Sequence, residues 1–116
     1  MIKFICYPRC STCRKAQKYL DDHGIKYEYR DISIDNPSEK ELRKWHKMSS
    51  LELRKFFNTS GMLYRDLNLK DKLKTMSEDE QFKLLSSNGL LVKRPLLIDG
   101  DKVLVGFKES EYQDLL

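Results

Sequence analysis

The chain has 116 residues, 40% of them hydrophobic and 34% charged, and a formal charge of +4 from 22 basic and 18 acidic side chains. That length fits a single domain, residues 1–116, with its own core, and no apolar run approaches the length that spans a bilayer, so no membrane association is expected. The basic residues alternate with acidic ones, as in Lys70-Asp71-Lys72, and no basic run carries aromatics for base stacking, which argues against direct binding of nucleic acid. No basic, then apolar, then small-residue leader opens the chain, so a cytoplasmic location is the expectation, where thiols are kept reduced.

Residues 1–6 read as a short apolar strand, and Tyr7-Pro8-Arg9 as a turn. A helix is predicted over Ser11–Asp22, closed by Gly24. Residues 25–34 alternate in the manner of a half-exposed edge strand, giving a parallel βαβ unit. Ser38 with Glu41 has the form of a capping box for a helix over 39–47, with Leu42 and Trp45 inward. Ser49 with Glu52 repeats the signal for a helix carrying Leu51, Leu53, Phe56 and Phe57, and a turn is expected at Asn58-Thr59-Ser60-Gly61. Residues 62–69 have loosely helical spacing, and Ser77 with Glu80 opens a helix that Gly89 would close. Leu96-Leu97-Ile98 and Lys102-Val103-Leu104-Val105 flank Asp99-Gly100-Asp101, a hairpin signal in which Asp-Gly supplies the turn, and residues 109–116 form a last helix with Tyr112 and Leu115 inward. The expected architecture is α/β: a mixed four-stranded sheet, βαβ then ββα, with a helical insertion over residues 37–89.

Chemistry concentrates in Cys10-Ser11-Thr12-Cys13, where strand turns into helix. At the cap or first turn, Cys10 meets unpaired backbone N–H groups and the positive end of the helix dipole, which favour a thiolate; Arg9, Arg14 and Lys15 add charge nearby. Cys13, Ala16 and Leu20 fall on one helical stripe, so Cys13 is expected inward and Cys10 at the exposed end, one to attack and one to resolve. Spacing alone leaves zinc and accidental readings open, but no second closely spaced pair completes a zinc site, since only Cys6, His23 and His46 remain as ligands. The Cys-x3-Cys-x2-Cys run that includes Cys6 has iron–sulfur spacing, yet Cys6 belongs to a strand and reads as a small buried hydrophobe. No metal or cofactor is therefore assigned. His23 and His46 are expected on solvent-facing helix surfaces.

Cys10-Ser11-Thr12-Cys13-Arg14-Lys15-Ala16 after the first strand, a helical insertion, and Lys93-Arg94-Pro95-Leu96 ahead of a hairpin together resemble the family of glutaredoxin-linked arsenate reductases and Spx/MgsR proteins, over nearly the whole chain. The resemblance implies a thioredoxin-like fold with a helical insertion, Cys10 as the redox or nucleophilic cysteine, Arg94 close to it, and a cis Pro95 facing the cysteine loop. It also implies a thiol reductant, either glutathione with glutaredoxin or thioredoxin. Family members that reduce arsenate resemble one another in holding the oxyanion with three arginines. Here Arg94 is the clear counterpart of one, while Asn58 and Val105 or Gly106 occupy the places of the others. Cys13 is shared instead with the branch represented by Spx, a regulator that contacts the α subunit of RNA polymerase, and the Phe56-Phe57-Asn58-Thr59-Ser60-Gly61 stretch departs from both branches. Two readings follow: an arsenate-reductase-like oxidoreductase using Cys10, Cys13 and Arg94, or a redox-controlled regulator that binds RNA polymerase.

Overall fold

A computed structural model describes residues 1–115. Strand β1 (Ile2–Cys6) lies inside the sheet, paired in parallel with β2 (Tyr27–Asp31) and antiparallel with β3 (Leu96–Asp99); β4 (Lys102–Val105) completes the order β2-β1-β3-β4. Side chains alternate across a strand, so a central strand must be apolar toward both faces. Phe4 and Cys6 accordingly join one buried cluster and Ile5 the other.

Helix α1 (Ser11–Asp22) covers the first face, burying Cys13, Ala16, Tyr19 and Leu20 against Phe4, Leu97 and Leu104. The short α6 (Glu109–Gln113) adds Tyr112 to that cluster; Leu116, expected to end this helix, lies outside the described residues. The insertion covers the second face with α2 (Glu39–Ser49), α3 (Met62–Asp66), α4 (Leu69–Lys72) and α5 (Glu78–Ser87). Two of the three expected capping boxes, Ser38 with Glu41 and Ser77 with Glu80, are formed at the starts of α2 and α5. No helix among the described residues is long and apolar enough to cross a membrane.

Four expectations are corrected. Strand β2 is half the predicted length: it starts only at Tyr27, and after Asp31, whose Oδ1 accepts from the Ser33 N–H and hydroxyl, an Asx-type turn takes the chain off the ladder. Ser49 does not open a helix. It ends α2, its hydroxyl bonds the His46 carbonyl, and Ser50 stops the helix in a left-handed conformation, which leaves only a 3-10 turn over Leu53–Phe56. Residues 62–69 split into α3 and the start of α4 at Asn68, whose φ of 52° places it where asparagine is tolerated better than most residues. Gly89 is not a left-handed helix end. Asn88 ends α5 in extended conformation and its side chain accepts from the Leu90 N–H, while a Cβ on Gly89 would lie 1.8 Å from the Ile32 carbonyl oxygen.

The hairpin forms at the expected place with its turn one residue later. Asp99 pairs with Lys102, so Gly100 and Asp101 are the loop residues, and Gly100 has a φ of +61°.

Candidate thiol site

Cys10 is the N-cap of α1. Its N–H donates to the Tyr7 carbonyl at 3.0 Å and its own carbonyl accepts from Arg14 at 3.1 Å. Arg14 Nε donates to the Pro8 carbonyl at 3.0 Å, which closes the Tyr7–Cys10 turn onto the helix. Cys10 is left half-buried, whereas Cys13, one turn later, is 1% exposed. The turn also supplies the anchor for Cys13, since the Tyr7 N–H donates to Cys13 Sγ at 3.3 Å. Cys6, the last residue of β1, is equally buried in the same cluster, and all three cysteines are free thiols.

The Cys13 thiol is pushed well up from the ordinary range, first by the hydrogen bond it shares with Cys6 and then by burial; the Tyr7 N–H works in the opposite direction. Its neighbour Cys13 holds Cys6 below its ordinary value against the cost of its burial. Cys13 is thus protonated at rest, as suits a thiol that reacts second. Tyr29, beside Cys6, is pushed up to about 12 by burial and by the Cys6 charge.

Arg94 reaches the turn through Tyr7. Its guanidinium carbon lies 5.1 Å from the centre of the Tyr7 ring, Nη1 donates to the Leu90 carbonyl at 3.1 Å, and Nε is buried with no hydrogen-bond partner among the described residues. The Arg94–Pro95 peptide is cis. Pro95 begins the run into β3, and its carbonyl accepts from the N–H of Gly106, whose φ is +80°. The side-chain contact made by Arg94 is therefore to Tyr7, the residue whose carbonyl holds the Cys10 N–H. Sequence reasoning passed over Tyr7 as a turn residue; its one signal was an aromatic placed directly between strand and Pro8.

The positions expected to fall near the other two arginines do different work. Asn58 folds its side chain over Gly61, where a Cβ would come within 2.6 Å of Nδ2, and its N–H donates to the Leu91 carbonyl at 2.8 Å. Val105 belongs to the apolar cluster under the insertion. His46 is half-buried edge-on to Phe56 and Phe82, a correction to its solvent-facing expectation, while His23 stays exposed and stacks on Tyr19 at 4.0 Å. Among the described residues no three His, Cys, Asp or Glu side chains are grouped to hold a metal ion.

A model of the ArsC family matches residues 6–115. The chain belongs to the ArsC family. Its relatives include the uncharacterized protein YusI of Bacillus subtilis, 54% identical over 97% of this chain and 96% of that one. They also include the global transcriptional regulator Spx of Listeria monocytogenes, 28% identical over all of this chain and 87% of that one. Among solved structures, one described as a possible arsenate reductase from Streptococcus mutans is 48% identical, covers 99% of this chain and 97% of that one, and superposes with a TM-score of 0.91. The mixed sheet with its helical insertion is thus the thioredoxin-like fold of this family, and the protein is one of its thiol-redox members.

Proposed function

We propose that the protein is a thiol-disulfide oxidoreductase in which Cys10 attacks, Cys13 resolves and Arg94 supplies a charged donor beside the cysteine turn. The observation that carries this reading is the unequal placement of the two thiols: Cys10 half-exposed at the helix cap, and Cys13 buried one turn later with its sulfur anchored by Tyr7. In the first step Cys10 thiolate attacks one sulfur of a disulfide substrate and expels the other as a thiolate. In the second, Cys13 gives up its proton and attacks Cys10 Sγ, releasing the remaining substrate thiol and leaving the Cys10–Cys13 disulfide. Glutathione with glutaredoxin, or thioredoxin, then returns both thiols, in the reducing cytoplasm where we place the reaction.

The unpartnered Arg94 Nε is a donor that a bound anion or thiolate would satisfy, and Pro95, lacking an N–H, leaves the adjoining backbone open for an approaching substrate. Arg94 is the one arginine here matching the three of an arsenate site, so arsenate is a secondary substrate at best. The test is glutathione-coupled reduction of a small disulfide by the purified protein beside glutaredoxin-coupled reduction of arsenate. Disulfide turnover that Cys10→Ser abolishes supports the reading; arsenate turnover of comparable efficiency contradicts its choice of substrate.

One observation favours a regulatory alternative: the likeness to Spx extends over the full chain. In that reading closure of the same thiol pair alters a surface read by RNA polymerase, through its α subunit. Co-purification of polymerase with the oxidised but not the reduced protein distinguishes it.

A further inference from the structure

Cys6 and Cys13 are both buried in one apolar cluster, and the half-buried Cys10 packs against it from the solvent side. Cys6 sits at the end of β1, and the very next N–H in the chain, that of Tyr7, holds Cys13 Sγ at 3.3 Å, so the Cys13 sulfur is pinned against the backbone that carries Cys6. The Tyr112 hydroxyl, fully buried in the same cluster, has no hydrogen-bond partner among the described residues and is a spare donor for charge on sulfur.

We propose that Cys6 is a second resolving thiol: once a Cys10–Cys13 disulfide has formed, Cys6 Sγ attacks Cys13 Sγ and the disulfide passes to Cys6–Cys13. This rests on the thiol-exchange reading of Cys10 and Cys13 given above. The Cys10–Cys13 bond breaks as the Cys6–Cys13 bond forms, its electron pair leaves on Cys10 Sγ, and the proton given up by Cys6 neutralises that thiolate. No outside oxidant or reductant enters the step. Its product carries the disulfide in the core while Cys10 is again a free thiol at the helix cap, able to react with a second substrate before the protein is reduced.

Trypsin makes the test direct, because cleavage after Lys3, Arg9 and Arg14 puts Cys6 in one peptide, 4–9, and both Cys10 and Cys13 in another, 10–14. The reduced protein is treated with a single equivalent of diamide, quenched in acid at intervals, unfolded, alkylated and digested. The expected result is an early internal bridge in peptide 10–14, followed by a linked pair of peptides in which fragmentation places the bond between Cys6 and Cys13 and the alkyl group on Cys10. Cys10→Ser, treated alike, is expected to form the Cys6–Cys13 bridge directly and lose alkylation at Cys6. Cys6 that stays alkylated at all times in both proteins, or bonds to Cys10 instead, overturns the proposal. Absence of the Cys10–Cys13 bridge from the wild type contradicts the thiol-exchange reading, and the Cys10→Ser protein then decides the role of Cys6 by itself: a bridge supports it and a free Cys6 overturns it.

Discussion

The backbone N–H of Tyr7 donates to Cys13 Sγ at 3.3 Å, while the Tyr7 carbonyl accepts the Cys10 N–H at 3.0 Å. A single peptide-turn residue thereby fixes both cysteines relative to each other, and its ring carries the Arg94 guanidinium. The attacking and resolving positions are consequences of this turn as much as of the helix that follows it.

Differential access sets the order of alkylation. In the folded protein Cys10 reacts first with iodoacetamide, and Cys6 and Cys13, each 1% exposed, wait for local opening and react at least about tenfold more slowly. Peptide mapping after brief labelling checks this, and first labelling at Cys13 would reverse the assigned roles.

Arsenate turnover is expected to be poor. A charge-assisted hydrogen bond contributes about 1.5–3 kcal/mol, so two missing guanidinium groups weaken oxyanion binding by several kcal/mol, on the order of a hundredfold or more. Restoring one of them as Asn58→Arg is not expected to rescue activity, because Asn58 is turned onto Gly61 within the turn. Glutaredoxin-coupled kinetics on both proteins measure the effect.

Gly89→Ala is expected to destabilise the fold by about 3 kcal/mol or more, since the added carbon would meet the Ile32 carbonyl at 1.8 Å and that contact is backbone on both sides. Thermal unfolding reads the loss. By contrast Gly24→Ala meets nothing within 4 Å and carries only the strain of its φ of +66°, a smaller effect of about 1 kcal/mol.

Acid stability depends on Glu41. Arg30 grips it with two hydrogen bonds, at 2.8 and 2.9 Å, and this together with the Ser38 N–H holds its carboxyl down at about 2 despite partial burial. A carboxyl lowered on folding stabilises fully above its unfolded value, near 4.5, and the contribution disappears as pH falls toward 2. Glu41→Gln should lower stability at neutral pH by about 1–3 kcal/mol and flatten the pH dependence between about 5 and 2. Chemical denaturation at several pH values follows both effects.

Local signals were legible where one residue's side chain settles one backbone group. The boundaries of α1, the two capping boxes and the β3–β4 hairpin all follow from neighbours within a few positions. The same letters misled at Ser49 and Glu52, because α2 ran through Ser49 before the second box could form. At the site, the inward turn of Cys13 followed from helical spacing, and the cis Arg94–Pro95 bond from family resemblance. The seat of Arg94 on Tyr7 and the burial of Cys6 and Cys13 in one cluster join residues from different elements, for which periodicity carries no signal.

The central claim, that Cys10 attacks and Cys13 resolves, is tested most directly by trapping. Cys13→Ser cannot expel the substrate thiol from Cys10, so incubation with a small disulfide should accumulate a mixed disulfide, located at Cys10 by mass mapping after an acid quench. Cys10→Ser under the same conditions should carry no adduct. An adduct on Cys6 in the first protein, or on Cys13 in the second at a rate near that of the wild type, would contradict the account.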